Sequence, residues 1–70
     1  MIERVARAIA SQHGHDDWHP YLADARAAMS ALREPTIEML DAAVPEVPDW
    51  GDLPVDWQAM IDYVLRERPN

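Results

Sequence analysis

The sequence predicts an all-α domain, a small bundle of three to four short helices. Apolar residues recur at three- and four-residue spacing through most of the chain, as they do on one face of a helix. Prolines and glycines stand between these periodic segments and indicate turns. No stretch alternates apolar and polar residues in the way that predicts a half-buried strand. We expect helices over about residues 2–13, 18–33, 36–44 and 54–67, in a single domain that spans residues 1–70.

The first predicted helix, residues 2–13, has an apolar face that contains Ile2, Val5 and Ile9. Glu3 stands four residues before Arg7, a spacing at which an acidic and a basic side chain pair on a helix. Gly14 follows the helix and suits the left-handed conformation in which many helices end. These three features together predict both the helix and its end.

The second predicted helix, residues 18–33, begins after Asp17, whose residue type commonly caps helix N-termini. Pro20 is tolerated in the first turn because the backbone donors there have no acceptor inside the helix. Glu34 precedes a proline, which disfavours the helical conformation, so we expect the helix to end there. The face that we expect to be buried contains Tyr21 or Leu22, Ala25, Ala28 or Met29, and Leu32.

The third predicted helix, residues 36–44, is expected to start at Pro35 or Thr36. The segment VPEVPDWGDLP, residues 44–54, contains three prolines and a glycine and predicts a Pro-rich loop before the last helix. The fourth helix, residues 54–67, should have Asp52 or Leu53 as its cap, and we expect Asp62 to pair with Arg66. Its predicted apolar face contains Trp57, Met60 or Ile61, and Val64.

The composition excludes several classes of function. The acidic residues outnumber the arginines, and the net charge of −7 argues against binding nucleic-acid backbones or anionic membranes, both of which require clustered cations. There is no cysteine, so a disulfide framework and a thiolate metal site are excluded. No secretory signal or membrane span is readable, and we therefore expect a cytoplasmic protein whose charged partners are basic.

The stretch HGHDDWH, residues 13–19, resembles a metal site because imidazole and carboxylate are ordinary zinc ligands. Its first five residues match the start of the signature of metallo-β-lactamase-like hydrolases, but Trp18 stands where that signature requires a histidine. The candidate metal ligands are His13, His15 and His19. Gly14 and Asp17 explain the same stretch as a turn between two helices, with solvated histidines. We predict the turn, with neither a metal nor another cofactor.

No other constellation in the sequence predicts catalysis. The serines have no partnered base, and there is no glycine-rich loop that could hold a phosphate. The acidic pair at residues 16 and 17 is explained by helix capping. We therefore expect that the protein is not an enzyme.

The segment from Glu34 to Asp62 contains eight acidic residues and neither lysine nor arginine. It either steers a basic partner towards the protein or forms an ordinary solvated surface. Trp50 lies inside this segment, where it either covers the small core or serves as an aromatic anchor in an interface. We predict a surface for a basic protein partner that contains Glu46, Asp49, Trp50, Asp52 and Asp56.

Three blocks of the sequence, MIERVARAI, ARAAMSALREPTIEML and WQAMIDYVL, resemble a recurrent group of short proteins encoded by bacteriophages and prophages. That group shares an ERVARAI start, an ARAAI.AMREPT helix end and a W..MIDA finish. The resemblance implies a phage or prophage gene product and carries no catalytic motif. The chain departs from the group in the stretches HGHDDWH and VPEVPDWGDLP.

Small acidic phage proteins that block host machines, such as anti-CRISPR proteins, provide an analogy of size, charge and origin. By this analogy we expect an inhibitor of a host defence protein, acting on a cationic nucleic-acid groove in the host cytoplasm. The alternative is a structural or assembly accessory protein that forms homo-oligomers through the apolar faces of its second and fourth helices. A core of this size supplies only about 3–5 kcal/mol, so either kind of association would add stability.

Overall fold

The computed structural model describes residues 1–45 and 50–69. These residues form four α-helices, with no strand among them, which confirms the predicted all-helical fold class. A 3-10 turn, His19–Tyr21, leads directly into the second helix. The helices are α1 (Ile2–Gln12), α2 (Leu22–Ala31), α3 (Ile37–Ala43) and α4 (Leu53–Leu65). Within the described ranges no helix has both the length and the apolar character needed to cross a membrane.

The end of α1 is closed by the predicted left-handed glycine. Gly14 has a φ of 72°, and its N–H donates to the carbonyl of Ser11 over 3.1 Å. The N–H of His15 donates to the carbonyl of Ala10 over 2.9 Å. These bonds supply donors to carbonyls in the last turn of the helix, which is how glycine-terminated helices usually end.

The start of the second helical segment differs from the prediction. Trp18, and not Asp17, immediately precedes the first helical residue. The Asp17 carboxylate still accepts the backbone N–H of His19 over 3.1 Å, so it satisfies a free donor from one position further away. The N–H of Tyr21 donates to the carbonyl of Trp18 over 3.0 Å, a three-residue bond that makes the first turn a 3-10 turn.

The two later helices start as the sequence predicts. The Thr36 hydroxyl accepts the N–H of Met39 over 3.1 Å and caps α3. Asp52 is the cap residue of α4, and its carbonyl accepts the N–H of Asp56 over 2.8 Å. Pro54 lies in the first turn of α4, where its missing N–H costs no hydrogen bond.

The main core lies where α1, α2 and α4 meet. Its buried members are Ile2, Ala6, Ala10, Trp18, Ala25, Met29 and Ile61. Three of the seven are alanines on α1 and α2, and their small side chains let the two helix backbones approach closely. Partly buried side chains surround this core, namely Val5, Ile9, Tyr21, Leu22, Trp57, Val64 and Leu65.

Three expectations about apolar faces are decided by this packing. Ala25 and Met29 form the buried face of α2, whereas Ala28 and Leu32 are exposed, so the predicted burial of Leu32 is wrong. The helix ends at Ala31, and the chain turns before Leu32 can reach the core. In α4 the buried alternative is Ile61, while Met60 is 57% exposed.

One predicted ion pair is confirmed and another is wrong. Arg7 Nε donates to Glu3 Oε2 over 2.8 Å. Asp62 does not pair with Arg66 but with Arg33, through Nε–Oδ1 and Nη2–Oδ2 distances of 2.8 Å and 3.2 Å. Arg33 follows α2, which packs beside α4. Its guanidinium therefore reaches the Asp62 carboxylate and forms two parallel hydrogen bonds with it, the strong arrangement for this pair of groups.

The segment after α4 is tied back to the first two helices. Glu67 Oε1 accepts the Ile2 N–H over 2.8 Å and the N-terminal ammonium group over 2.9 Å. Arg26 donates from Nη2 to the Glu67 carbonyl over 3.0 Å and from Nη1 to the Leu65 carbonyl over 3.5 Å. The start of α1 and the residues that follow α4 are therefore held together by these contacts.

Candidate partner-binding surface

The acidic segment, residues 34–62, lies mostly on the surface. Five of its described carboxylates are exposed, namely Glu34, Glu38, Asp41, Asp52 and Asp56. Asp62 is half-buried and pairs with Arg33. The predicted site residues Glu46 and Asp49 lie outside the described residues.

Two of these carboxylates are engaged by uncharged donors. The Gln58 side chain donates to Glu34 Oε1 over 3.3 Å, and Arg33 Nη1 lies 3.5 Å from the same oxygen. Asp41 accepts the indole N–H of Trp50. Across residues 1–45 and 50–69 no ion pair involves Glu38, Asp52 or Asp56. The negative charge of this surface is therefore largely uncompensated.

Trp50 is held between α3 and the start of α4. Its indole Nε1–H donates to Asp41 Oδ1 over 3.0 Å, and its carbonyl accepts the N–H of Leu53 over 3.0 Å. The side chain is half-buried. Gly51 follows with a φ of 55°, a left-handed conformation that turns the chain into α4. Trp50 is thus a fixed, partly exposed ring with its polar atom already satisfied.

A small apolar groove lies between α3 and the first turns of α4. It has a volume of about 130 Å³ and is lined by Pro35, Met39, Leu40, Ala43, Leu53 and Trp57. Leu40 is buried beneath it, although it is not a member of the main core. The indole N–H of Trp57 donates to the carbonyl of Leu32 over 2.6 Å, which fixes the position of that ring.

Exposed apolar side chains accompany the exposed carboxylates. Those that follow residue 33 in the described part of the chain are Ile37, Met39, Val55, Met60 and Tyr63. Asp56, Met60 and Tyr63 are spaced four and three residues apart on α4, so they share one face of the helix. Single exposed apolar residues are common, but several beside uncompensated charge are typical of an interaction surface.

The three histidines of HGHDDWH contact two aromatic rings. His13 stacks on Tyr21 with a centroid distance of 5.4 Å, and His15 meets the edge of the same ring at 5.9 Å. His19 stacks on Trp18 at 3.9 Å. In the described ranges no three residues among His, Cys, Asp and Glu are arranged to hold a metal ion.

Asp17 is the acidic partner in this turn. Its Oδ1 lies 2.8 Å from His19 Nδ1 and also accepts the backbone N–H of that residue. Both hydrogen bonds, the one to the ring first, hold the pKa of Asp17 below its ordinary value. The arrangement is a turn that is stabilised by aromatic and polar contacts.

An open polar depression of about 350 Å³ borders the same turn and is lined by Arg7, Ser11, Gly14, His15 and Asp16. Arg7 is the cation in this lining. It already pairs with Glu3, and its guanidinium lies 5.2 Å from the centroid of the Trp18 ring. The depression is therefore an open surface hollow whose cation is already engaged, unlike the mostly apolar, enclosed sites that bind small molecules.

Sequence reasoning missed two features of the surface. The pairing of Asp41 with Trp50 was not predicted, because the two are nine positions apart and the stretch between them contains two prolines. The groove was not predicted either, because its lining comes from two helices whose relative placement is not readable from periodicity. The signal that was present is the spacing of Leu53 and Trp57, which places both on one face of α4.

Comparison with known proteins adds no assignment to this geometry. No protein-family model, no curated protein and no solved structure matches the chain. The exposed charge, the half-buried tryptophan and the apolar groove are therefore the features that bear on function.

Proposed function

We propose that this chain is a small acidic binding protein without catalytic activity, which recognises a basic surface on another protein. The observation that carries the proposal is the exposed face of α4, where Asp56, which forms no ion pair within the described residues, stands with the exposed side chains Met60 and Tyr63. Arg66 lies beyond the end of this helix, with its guanidinium 6.0 Å from the centroid of the Tyr63 ring. Such a face offers both charge and apolar area, the two contributions that protein interfaces combine.

The distribution of charge along the chain supports a basic binding partner. All six arginines lie outside residues 34–62. Arg33 pairs with Asp62 and Glu34. Within residues 1–45 and 50–69 the other carboxylates of the segment form no ion pair. A surface with one sign of charge accelerates encounter with an oppositely charged partner and opposes encounter with a like-charged one.

The class of partner that we propose is a host defence protein with a cationic groove for nucleic acid. Exposed carboxylates can occupy a groove that is built to receive phosphates, because both are anions that arginine and lysine bind. An inhibitor of this kind, present in the host cytoplasm, agrees with the resemblance of the chain to short phage and prophage proteins. Anti-CRISPR proteins are the analogy for this mode of action.

The test is a comparison of two variants with the same change of charge. Asp52→Lys/Asp56→Lys reverses two exposed carboxylates at the start of α4. Asp16→Lys/Asp24→Lys is the matched control, because Asp16 and Asp24 are exposed and Asp24 also lies in a first helical turn. Far-ultraviolet circular dichroism verifies that both variants are folded.

Each variant is used to capture proteins from a bacterial host lysate at low and high salt, with mass spectrometry of what is retained. We expect the wild type and the control to retain a nucleic-acid-binding host protein at low salt and to release it at high salt. The α4 variant should not retain it. The captured protein should also lose its affinity for nucleic acid when the chain is added. Equal retention by both variants would contradict the proposal.

A second candidate function is an assembly accessory that forms homo-oligomers. The apolar face of α2 is occupied inside the chain, since Ala25 and Met29 are buried in the main core. The exposed side chains Met60 and Tyr63 of α4 are the observation that favours association through that helix. Light scattering over a range of concentrations distinguishes the two candidates, because a constant monomer mass excludes self-association.

A further inference from the structure

We infer that the groove between α3 and α4 receives one large apolar side chain from a basic amphipathic helix of the partner. This inference rests on the proposed function and specifies how the partner is held. The described lining of the groove is apolar and comprises Pro35, Met39, Leu40, Ala43, Leu53 and Trp57. A helix that inserts an apolar anchor into such a groove is a recurrent mode of peptide recognition.

The size of the groove identifies an anchor side chain as its occupant. Its volume of about 130 Å³ is well below the roughly 300–1,000 Å³ of pockets that enclose drug-sized ligands or cofactors. It is large enough for one leucine-sized or methionine-sized side chain. Among the described residues, the groove has none of the convergent polar groups that orient a small molecule.

The walls of the groove are fixed before any partner binds. The Thr36 hydroxyl caps α3 beside Met39, and the Trp57 indole donates to the carbonyl of Leu32. Leu40, in the middle of α3, is buried. A preformed groove loses little conformational entropy on binding, so more of the contact energy contributes to affinity.

Charge at the border of the groove determines the kind of helix that fits. Asp52 and Asp56 immediately precede the lining residues Leu53 and Trp57 on α4, and both carboxylates are exposed. Asp41 follows Leu40 on α3. An apolar anchor that is flanked by arginine or lysine would satisfy the apolar lining and the acidic border together.

A second copy of this chain is a poorer occupant. An isologous contact would bring the same surface of two molecules together, and Asp52 and Asp56 would then face their own copies. Like charges brought together in this way oppose association. The net charge of −7 adds a general repulsion between copies.

The probes are two synthetic amphipathic helical peptides of identical positive charge, one with leucine and the other with alanine at the central apolar position. Binding is followed by nuclear magnetic resonance through the indole N–H signals of the chain. Trp57 lines the groove, whereas Trp18 is buried in the main core and serves as the internal reference. We expect the leucine peptide to shift the Trp57 signal and to bind about tenfold more tightly than the alanine peptide.

Two alanines of α3 provide a matched pair of variants. Ala43 lines the groove and Ala42 does not, and both are exposed helical residues. Ala43→Leu fills the groove and should remove the preference for the leucine peptide. Ala42→Leu adds the same volume elsewhere and should preserve that preference. Leucine is a good helix former, so neither change should unfold α3.

The possible outcomes distinguish a failure of the groove inference from a failure of the proposed function. If both peptides bind equally and Ala43→Leu has no effect, while Asp52→Lys/Asp56→Lys weakens both, the groove inference is wrong and the proposed function stands. If neither peptide binds the wild type, the cationic-helix partner is wrong as well. If unlabelled chain shifts the Trp57 signal, the occupant is a second copy and the inference is overturned.

Discussion

Residues 1–33 and residues 34–65 use their apolar side chains in different ways. The first region contributes six of the seven members of the main core, and the second contributes Ile61. The second region instead exposes large apolar side chains on both of its helices, as at Ile37 and Met60. The first region is therefore organised by burial, whereas the second combines an incomplete core with a charged and apolar surface, which is the composition expected of a binding region.

The same comparison holds for charge. In the first region Arg7 pairs with Glu3, and Arg33 pairs across to Asp62. In the second region the exposed carboxylates outnumber their partners among the described residues. A chain this small is only marginally stable, and repulsion between unpaired carboxylates does not stabilise its fold. The uncompensated charge of the second region is therefore better explained by recognition of a partner.

The largest expected effect comes from two methionines that differ in burial. Met29 is 7% exposed in the main core, and Met60 is 57% exposed on α4. Met29→Ala should lower the free energy of unfolding by about 2–5 kcal/mol because it leaves a cavity. Met60→Ala should change it by no more than about 0.5 kcal/mol. Urea denaturation measures both, and equal effects would contradict the division between the two regions.

A smaller and local effect is expected at Leu40, which is buried outside the main core. Leu40→Ala should destabilise α3 by roughly 2 kcal/mol, at the low end of the range for such truncations. Amide hydrogen exchange should accelerate across residues 37–43 while Ala6 and Ala10 in α1 keep their protection. Uniform loss of protection along the chain would indicate that the two regions unfold together.

The next effect concerns the contact that holds Trp50. Trp50→Phe removes the indole N–H that donates to Asp41 and retains an aromatic ring. We expect a loss of about 0.5–1.5 kcal/mol in the free energy of unfolding, the usual net contribution of one hydrogen bond. Asp41→Asn serves as the partner variant, because an amide oxygen can still accept the indole N–H. If Trp50→Phe and Asp41→Asn destabilise the protein equally, the charge of Asp41 matters as much as the bond.

The smallest effect is a dependence of stability on pH that arises from the contacts between the regions. Arg33 lowers the pKa of Asp62 by hydrogen bonding, and the Ile2 N–H followed by the N-terminal ammonium lowers the pKa of Glu67. A carboxyl whose folded pKa is lowered stabilises the protein above its unfolded pKa of about 4. That contribution is lost as the pH falls through the lower, folded pKa.

The melting temperature should therefore fall on acidification below about pH 4.5. Asp62→Asn and Glu67→Gln should each make this fall shallower. Asp16→Asn is the control, since Asp16 forms no ion pair within residues 1–45 and 50–69. An unchanged slope in Asp62→Asn and Glu67→Gln would show that other groups control the acid sensitivity.

Local chemistry made much of the fold predictable. Periodic apolar residues predicted all four α-helices to within three residues of their observed ends, apart from the 3-10 turn at the start of the second. Gly14 and Thr36 predicted an end and a start correctly because their preferences act on their own backbone and its nearest neighbours. Of the predicted binding residues, Trp50, Asp52 and Asp56 lie at or beside the start of α4. They lie close together because they are close together in the sequence.

The sequence alone was sufficient to predict that the chain forms helices and where it turns between them. It also showed that negative charge is concentrated in residues 34–62. Tertiary structure alone decided that Asp62 pairs with Arg33, that Ile61 is buried in place of Met60, and that α3 and α4 enclose a groove. The physical reason is that adjacent residues on a helix face differ by only about 100°. Which of them is buried, and which distant side chain it meets, depends on where the neighbouring helix lies.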